Sequence, residues 1–322
     1  MHFSISKIIG FILRILVSVI ILIFLFSRID IKNFLVVIKK ADLKLISVSF
    51  LISLFANILC LFRWRTVLRA LKLDFNFKVI LSSFSLGIFF NSILPSAIGG
   101  DIFRAVDFLR FNPHKSMVIS SVILDRFLGF WALDVVVIFA VIFGRRLILN
   151  KVIFLFVLIF SLLLIFLLIF LFNRFFYLRL NRILSFKKNR FFLFLEELHN
   201  SLYYFKDKKN AIFRSFLLSL IIQLSGPLVF FITLLSLGIK DIPLGYFFIF
   251  VPILGAVTLL PISIGGLGLR EAGTVFLFSQ IGLPQDKLLA GSLINSSFLI
   301  LISIFGGIIY VFTLHPGRLQ HH

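Results

Sequence analysis

Pro95-Ser96-Ala97-Ile98-Gly99-Gly100-Asp101-Ile102-Phe103-Arg104 and Pro261-Ile262-Ser263-Ile264-Gly265-Gly266-Leu267-Gly268-Leu269-Arg270 lie 166 residues apart and carry proline, isoleucine, a glycine pair and arginine in one register. Ser92 and Thr258 align just upstream. Each copy interrupts an apolar run with backbone breakers and follows them with a cation. In a very apolar chain, a repeated broken helix with an arginine beside the break is the sequence mark of a paired substrate site at membrane depth. The pattern therefore predicts a binder or translocator of something anionic.

Composition sets the class. Hydrophobic residues make up 60% of the 322, with 45 phenylalanines, and the mean hydropathy is +1.13. No soluble fold has enough polar surface to cover this much hydrocarbon. Runs over 8–26, 45–62, 117–143, 152–172, 215–237 and 288–312 are long enough to span a bilayer as helices. Two shorter runs, 79–94 and 246–260, lead straight into the repeated motif. The first run carries Arg14 and no small-residue cleavage site, so it reads as a retained helix rather than a removed leader. The expected fold is all-α: a polytopic membrane protein of about six full spans plus two re-entrant helical hairpins in an inverted repeat. One domain is expected over 1–322, with approximate repeat halves 1–150 and 151–322 and multi-pass placement in the inner, cytoplasmic membrane.

The net charge of +20 is concentrated outside the spans. Between Asn173 and Arg214, ten Lys and Arg outnumber three acids. This basic loop over 173–214 reads as cytoplasmic and suited to anionic headgroups. Phe191, Leu195, Leu198, Leu202 and Phe205 recur in it at helical spacing, which predicts an amphipathic helix on the inner surface; a solvated connector is the alternative. No nucleic-acid module accompanies the charge. Cys60 is alone and histidine is sparse, so neither a disulfide nor a metal centre is expected, and no cofactor is implied.

In the hairpin topology, 79–94 enters as a half-helix, turns at Pro95 to Gly100 and returns over 101–111. The second hairpin runs from Tyr246 through Gly265-Gly266 to Ile281 and enters from the other side. Eight simple crossings would also put the basic loop inside. The hairpins are preferred because the returning arms are too short to span, and because irregular backbone at a glycine pair survives in a bilayer only where protein or water shields it. Their cost is five basic residues from Arg28 to Lys44 left outside.

The candidate substrate-binding residues are Arg104, Arg126, Arg270, Asp101, Asp125, Glu271, Gly99, Gly100, Gly265 and Gly266, with Pro95 and Pro261 as breakers. Glycine pairs free backbone amides at the start of a half-helix, where the helix dipole and a nearby arginine favour a phosphate. Ionisable groups inside spans cost a few kcal/mol each and so call for a partner or a role. Asp125-Arg126 lies roughly 13 Å into its span, and Arg126 falls between Asp125 and Asp134 on the helical wheel. Asp101 and Arg104 share a face, and Arg270-Glu271 holds the matching place in the second copy. A cavity with three arginines partly neutralised by three acids would take a phosphate while limiting the cost of empty, buried cations. Gln223, Ser225, Pro227 and 295–297 are further lining candidates.

At these motifs the chain resembles the lysylphosphatidylglycerol synthase transmembrane-region family, also called flippase-like domain proteins. The resemblance rests on Leu94-Pro95 through Gly99-Gly100-Asp101 with Arg104, on Asp125-Arg126, and on Pro261 through Gly265-Gly266-Leu267-Gly268 with Arg270-Glu271. It implies a membrane domain that handles anionic or modified lipids, either an anionic phospholipid or a polyprenyl-phosphate-linked one. In bifunctional relatives the aminoacyl transfer belongs to a separate soluble domain, and this chain stops at His322, so no synthase is expected. The leading expectation is a lipid translocator. The alternatives are a non-catalytic subunit presenting lipid to a separately encoded transferase, and an intramembrane enzyme using Asp101, Asp125 or Glu271 as base.

Overall fold

The computed structural model describes residues 16, 18–27, 30–94, 99–111, 114–143, 151–185, 189–240, 242–258, 263 and 265–313. Pro95 and Pro261, the expected breakers, lie outside these residues. Every regular element among them is helical. The order is α1 (Ser18–Ser27), α2 (Ile31–Lys39), α3 (Leu43–Ala70), α4 (Phe77–Ile93), α5 (Gly99–Phe108), α6 (Lys115–Phe143), α7 (Lys151–Phe172), α8 (Arg174–Ser185), α9 (Arg190–Tyr204), a 3-10 turn (Phe205–Asp207), α10 (Lys209–Ser236), α11 (Leu244–Thr258), α12 (Leu269–Ser279) and α13 (Gln285–Thr313).

Three described helices, α3, α10 and α13, are long and apolar enough to cross a membrane, and a fourth span results if the bent pair α7 and α8 is counted as one. α6 is as long, at 29 residues, but carries Asp125, Arg126 and Asp134 along its length. Large apolar side chains stand exposed along the outsides of these helices, among them Leu51, Phe55 and Ile58 on α3 and Leu158, Ile159 and Leu162 on α7. A helix apolar all round needs a cover, and for a surface of this extent the cover is lipid. The chain is a multi-pass helical membrane protein.

The helices pack as two units interleaved along the chain. The first comprises Met1–Phe55, Ser82–Arg104 and Ser225–His322; the second, Ala56–Leu81 and Ala105–Leu224. The described residues of both copies of the repeated motif fall in the first unit. There, α12 packs against α11 and α13, around Phe230, Phe247, Phe250 and Phe278, whose ring centroids lie 5.1–5.9 Å apart. α13 approaches α4 closely: Ser303 Oγ donates to the Phe89 carbonyl at 3.0 Å, and a Cβ on Gly306 would stand 2.8 Å from the Ser85 carbonyl oxygen.

In the second unit Trp64 is fully buried, donating to Ser121 Oγ at 3.2 Å with Phe108 edge-on at 5.4 Å. The periodic apolar residues after Phe191 do form a helix, α9, continued by the 3-10 turn. Its later positions serve packing: Leu202 and Phe205 are buried while Phe191 is exposed. α9 lies on α6 and α8, and Ser120 Oγ donates to the Leu198 carbonyl at 3.2 Å.

α4 and α5 form an antiparallel hairpin. Asn91 meets Gly100, Phe90 stacks on Phe103 at 3.8 Å, and Gly87 and Phe84 meet Arg104, so descending α4 means ascending α5. The closest approach is at Gly100, where any Cβ would overlap the Gly87 carbonyl oxygen and the Asn91 amide. Gly100→Ala should therefore lower stability by about 1–3 kcal/mol, the usual cost of overpacking. Gly255→Ala, in the other hairpin, meets nothing within 4 Å and should be near neutral. Thermal unfolding of the two purified variants in detergent checks the contrast.

Candidate functional site

The first hairpin holds its charges as a local pair. α5 begins with Gly99 and Gly100, and the Gly100 amide, one of those a helix start leaves without an intrahelical partner, donates to Asn91 Oδ1 on α4 at 3.1 Å. One turn on, Arg104 Nη2 lies 3.0 Å from Asp101 Oδ1, with both side chains buried. The guanidinium carbon sits 5.7 Å from the Phe84 ring centroid. Neither glycine has positive φ; the pair is needed for close approach, since a Cβ on Gly99 would strike Leu94 at 2.6 Å.

The second copy uses the same letters differently. Gly265, Gly266 and Gly268 have φ of 57°, 80° and 82°, a left-handed backbone that side chains disfavour. The turn they make delivers the chain into α12. Glu271, fully buried, turns back and accepts the Gly268 amide at 2.6 Å through Oε2, as the acid of a capping box does. Its Oε1 accepts Ser296 Oγ at 2.6 Å and Ser292 Oγ at 3.4 Å, both from α13. Arg270 donates to Ser296 Oγ at 3.3 Å and to the Gly265 carbonyl at 3.3 Å. Ser296 thus links the cation to the carboxylate beside it in sequence.

α11 and α12 are also antiparallel: Thr258 lies against Gly266, Leu254 against Gly273 and Phe250 against Phe278. The end of α4 meets the glycine turn of the second hairpin. A Cβ on Gly265 would stand 3.2 Å from the Ser92 carbonyl oxygen, and one on Gly266 would stand 3.2 Å from Thr258 Cβ. The two positions that align upstream of the repeat therefore flank the second glycine pair.

The structure gathers Gly99, Gly100, Asp101 and Arg104 on one hairpin and Gly265, Gly266, Arg270 and Glu271 on the other. Asp125 and Arg126 belong to the second unit. Arg126 is half-buried, and Asp125 takes Arg63 Nε of α3 at 2.8 Å. Arg63 also donates to Ser219 Oγ of α10 at 3.0 Å. Its Nη1 occupies the space over Gly129, where a Cβ would come within 2.9 Å, while Gln223 donates to the Gly129 carbonyl at 3.1 Å. Asp134 accepts Ser161 Oγ of α7 at 2.5 Å. Both acids of α6 reach neighbouring helices.

Arg63 stands just past the apolar run 45–62, which hides it in the sequence as a residue inside a helix. α3 continues to Ala70, which leaves Arg63 about 10 Å inside the helix. The available signal was an arginine followed by a tryptophan at the edge of a span. Of the other lining candidates, Asn295 Oδ1 accepts Thr233 Oγ1 at 2.9 Å, and Ser297 donates to the carbonyl a turn back, at Ile294. Among the described residues no group of three or more His, Cys, Asp or Glu is placed to hold a metal ion.

The family described as Lysylphosphatidylglycerol synthase TM region matches residues 11–307. No curated protein matches the chain at a significant level.

Two outcomes test the roles of these charges. Glu271→Gln sets an amide donor among the donors of Gly268, Ser292 and Ser296 and should cost about 1–3 kcal/mol, the penalty for a buried polar group left without its partner. Glu271→Ala should cost at least as much, both read as a fall in thermal stability. For the second unit, Arg63→Met or Asp125→Leu alone strands a buried charge and should destabilise by about 3–5 kcal/mol, whereas the double variant should recover most of the loss.

Proposed function

The chain belongs to the lysylphosphatidylglycerol synthase transmembrane-region family, and from that premise we propose that it binds a phosphate-bearing lipid between the paired hairpins and carries the headgroup across the bilayer. The observation that supports this most is the meeting of the end of α4 with the second glycine turn, which brings together two hairpins that each carry a glycine pair followed by an arginine.

Lengths favour hairpins over crossings. At 1.5 Å per residue, the 17 and 10 residues of α4 and α5 give about 25 and 15 Å. The 15 and 11 of α11 and α12 give about 22 and 16 Å. All fall below the ~30 Å hydrocarbon core. In this reading α1, α3, α6, α7, α10 and α13 are the six spans, and the hairpins dip from opposite leaflets, an inverted repeat that meets at mid-depth. The basic segment from Asn173 to Arg214 then faces the cytoplasm.

The arginines supply charge without being stranded when the site is empty. Arg104 rests on Asp101 and Arg270 on Ser296 and the Gly265 carbonyl. A phosphate has oxygens enough to take over these hydrogen bonds, and an anion at the start of α5 or α12 also gains from the helix dipole. The hydrocarbon tails stay in lipid, the lipid leaves chemically unchanged, and movement runs downhill or with a coupled ion. The membrane is the cell's inner membrane.

Purified wild-type protein should retain one phosphate-bearing lipid class enriched over the bulk membrane. Arg104→Gln and Arg270→Gln should each lose that enrichment by about tenfold or more, from the ~1.5–3 kcal/mol of a hydrogen bond to a charged group. Reconstituted in vesicles, the same variants should expose the lipid more slowly on the far leaflet. Retention and exposure unchanged in folded variants would overturn the proposal. A covalently altered lipid after incubation would replace it with an enzyme.

A further inference from the structure

α8 follows α7 after a bend of 66° at Asn173, and the Asn173 side chain caps the new helix by accepting the Phe175 amide at 2.8 Å. α8 is a poor continuation of a span: Arg174, Arg179, Arg182 and Asn181 lie within its twelve residues, and each arginine at membrane depth would cost a few kcal/mol. Its exposure is sharply divided. Arg174, Phe175, Leu178, Arg179 and Arg182 are exposed, whereas Phe176, Tyr177, Leu180 and Asn181 are half-buried. At about 100° per residue the exposed five occupy an arc of about 140°, and the other four lie in the complementary arc.

The inner arc is already used. Tyr177 stacks on Tyr203 of α9 at 3.8 Å and donates to Asn200 Oδ1 at 2.9 Å. The outer arc is neither a solvated face nor a purely hydrocarbon one. Phe175 and Leu178 are 60% and 53% exposed among three cations, and Arg179 lies over the Phe175 ring at 5.6 Å.

The end of the second unit that carries α8 continues this pattern. Lys206 sits over Tyr203 at 4.4 Å and Lys208 over Tyr204 at 4.5 Å. The Tyr204 phenol is held below its ordinary range by a hydrogen bond from Lys208, and Lys72, just past α3, adds to the effect. Basic groups from α8, from the turn after α9 and from the end of α3 thus share one end of this unit with exposed aromatic and apolar side chains.

We propose that α8 is an interfacial helix that lies in the headgroup layer of a leaflet rich in anionic phospholipid, with Phe175 and Leu178 sunk toward the acyl chains and Arg174, Arg179 and Arg182 on lipid phosphates. The occupant follows from charge and polarity together. A cation-only face would suit any polyanion, but two large apolar side chains set within the arginines fit a surface that is anionic at one depth and hydrocarbon a few ångströms deeper. Arginine stems reach across that gap. The assignment does not depend on lipid translocation.

The test uses the full chain with Cys60→Ser and a nitroxide on Leu178→Cys, in vesicles of phosphatidylcholine alone or mixed with phosphatidylglycerol. The label should collide with oxygen several-fold more often than with a water-soluble nickel chelate, and adding phosphatidylglycerol should raise that ratio and slow the label. Arg174→Gln/Arg179→Gln/Arg182→Gln, all on the exposed arc, should keep the fold and abolish the response to phosphatidylglycerol. A label as open to the nickel chelate as one in water, in either lipid, would overturn the proposal and give the face to a soluble partner. A lipid-buried label whose depth and mobility ignore phosphatidylglycerol would overturn the anionic part of it.

Discussion

A helix start leaves backbone amides without an intrahelical partner, and where that start is buried in protein each amide needs another acceptor; this structure meets that demand twice. At the start of α5 the donor of Gly100 goes to Asn91 of the preceding arm. At the start of α12 the donor of Gly268 goes to Glu271. The second solution brings a buried carboxylate into the first unit, and that carboxylate in turn needs Ser292 and Ser296. Seen this way, the serines of α13 answer a backbone problem in α12, and the position of α13 against the second hairpin follows from it.

The glycine pairs show how one motif serves two physical ends. In the first copy the glycines are right-handed helix residues whose missing side chains let α5 lie on α4 and Leu94. In the second copy they are left-handed turn residues, a conformation that costs other residues roughly 1–2 kcal/mol each. A repeat of letters therefore need not be a repeat of shape. What the copies do share is the consequence: an arginine four residues after the second glycine of the pair, on the second arm of the hairpin.

Much of this was legible in the sequence and some was not, for reasons that follow from range. The helical arms and the pairing of Asp101 with Arg104 are local, set by residues a few positions apart, and periodicity is enough to place them. The partners of Asp125, Asp134 and Glu271 are not local. Arg63 is 62 residues from Asp125, Ser161 is 27 from Asp134, and Ser296 is 25 from Glu271. A buried acid in a span announces that a donor exists without saying which helix brings it. The two interleaved units were hidden for the same reason, because α3, α4, α5 and α10 each contribute residues to both.

The two arginines of the candidate site are consequently not equivalent. Arg104 faces a carboxylate directly at 3.0 Å, a charge pair that a phosphate bound as proposed would have to displace. Arg270 bonds to a hydroxyl and a carbonyl, both neutral, while the acid next to it is occupied by the Gly268 amide and two serines. Moving a neutral acceptor aside costs less than separating a buried ion pair. If a phosphate enters between the hairpins, Arg270 is then the cation that engages it at lower cost, and Arg104 the one whose capture requires Asp101 to let go. Under the proposed inverted repeat, unequal cations would give the two leaflets unequal sites, and a translocator working downhill needs no symmetry between them.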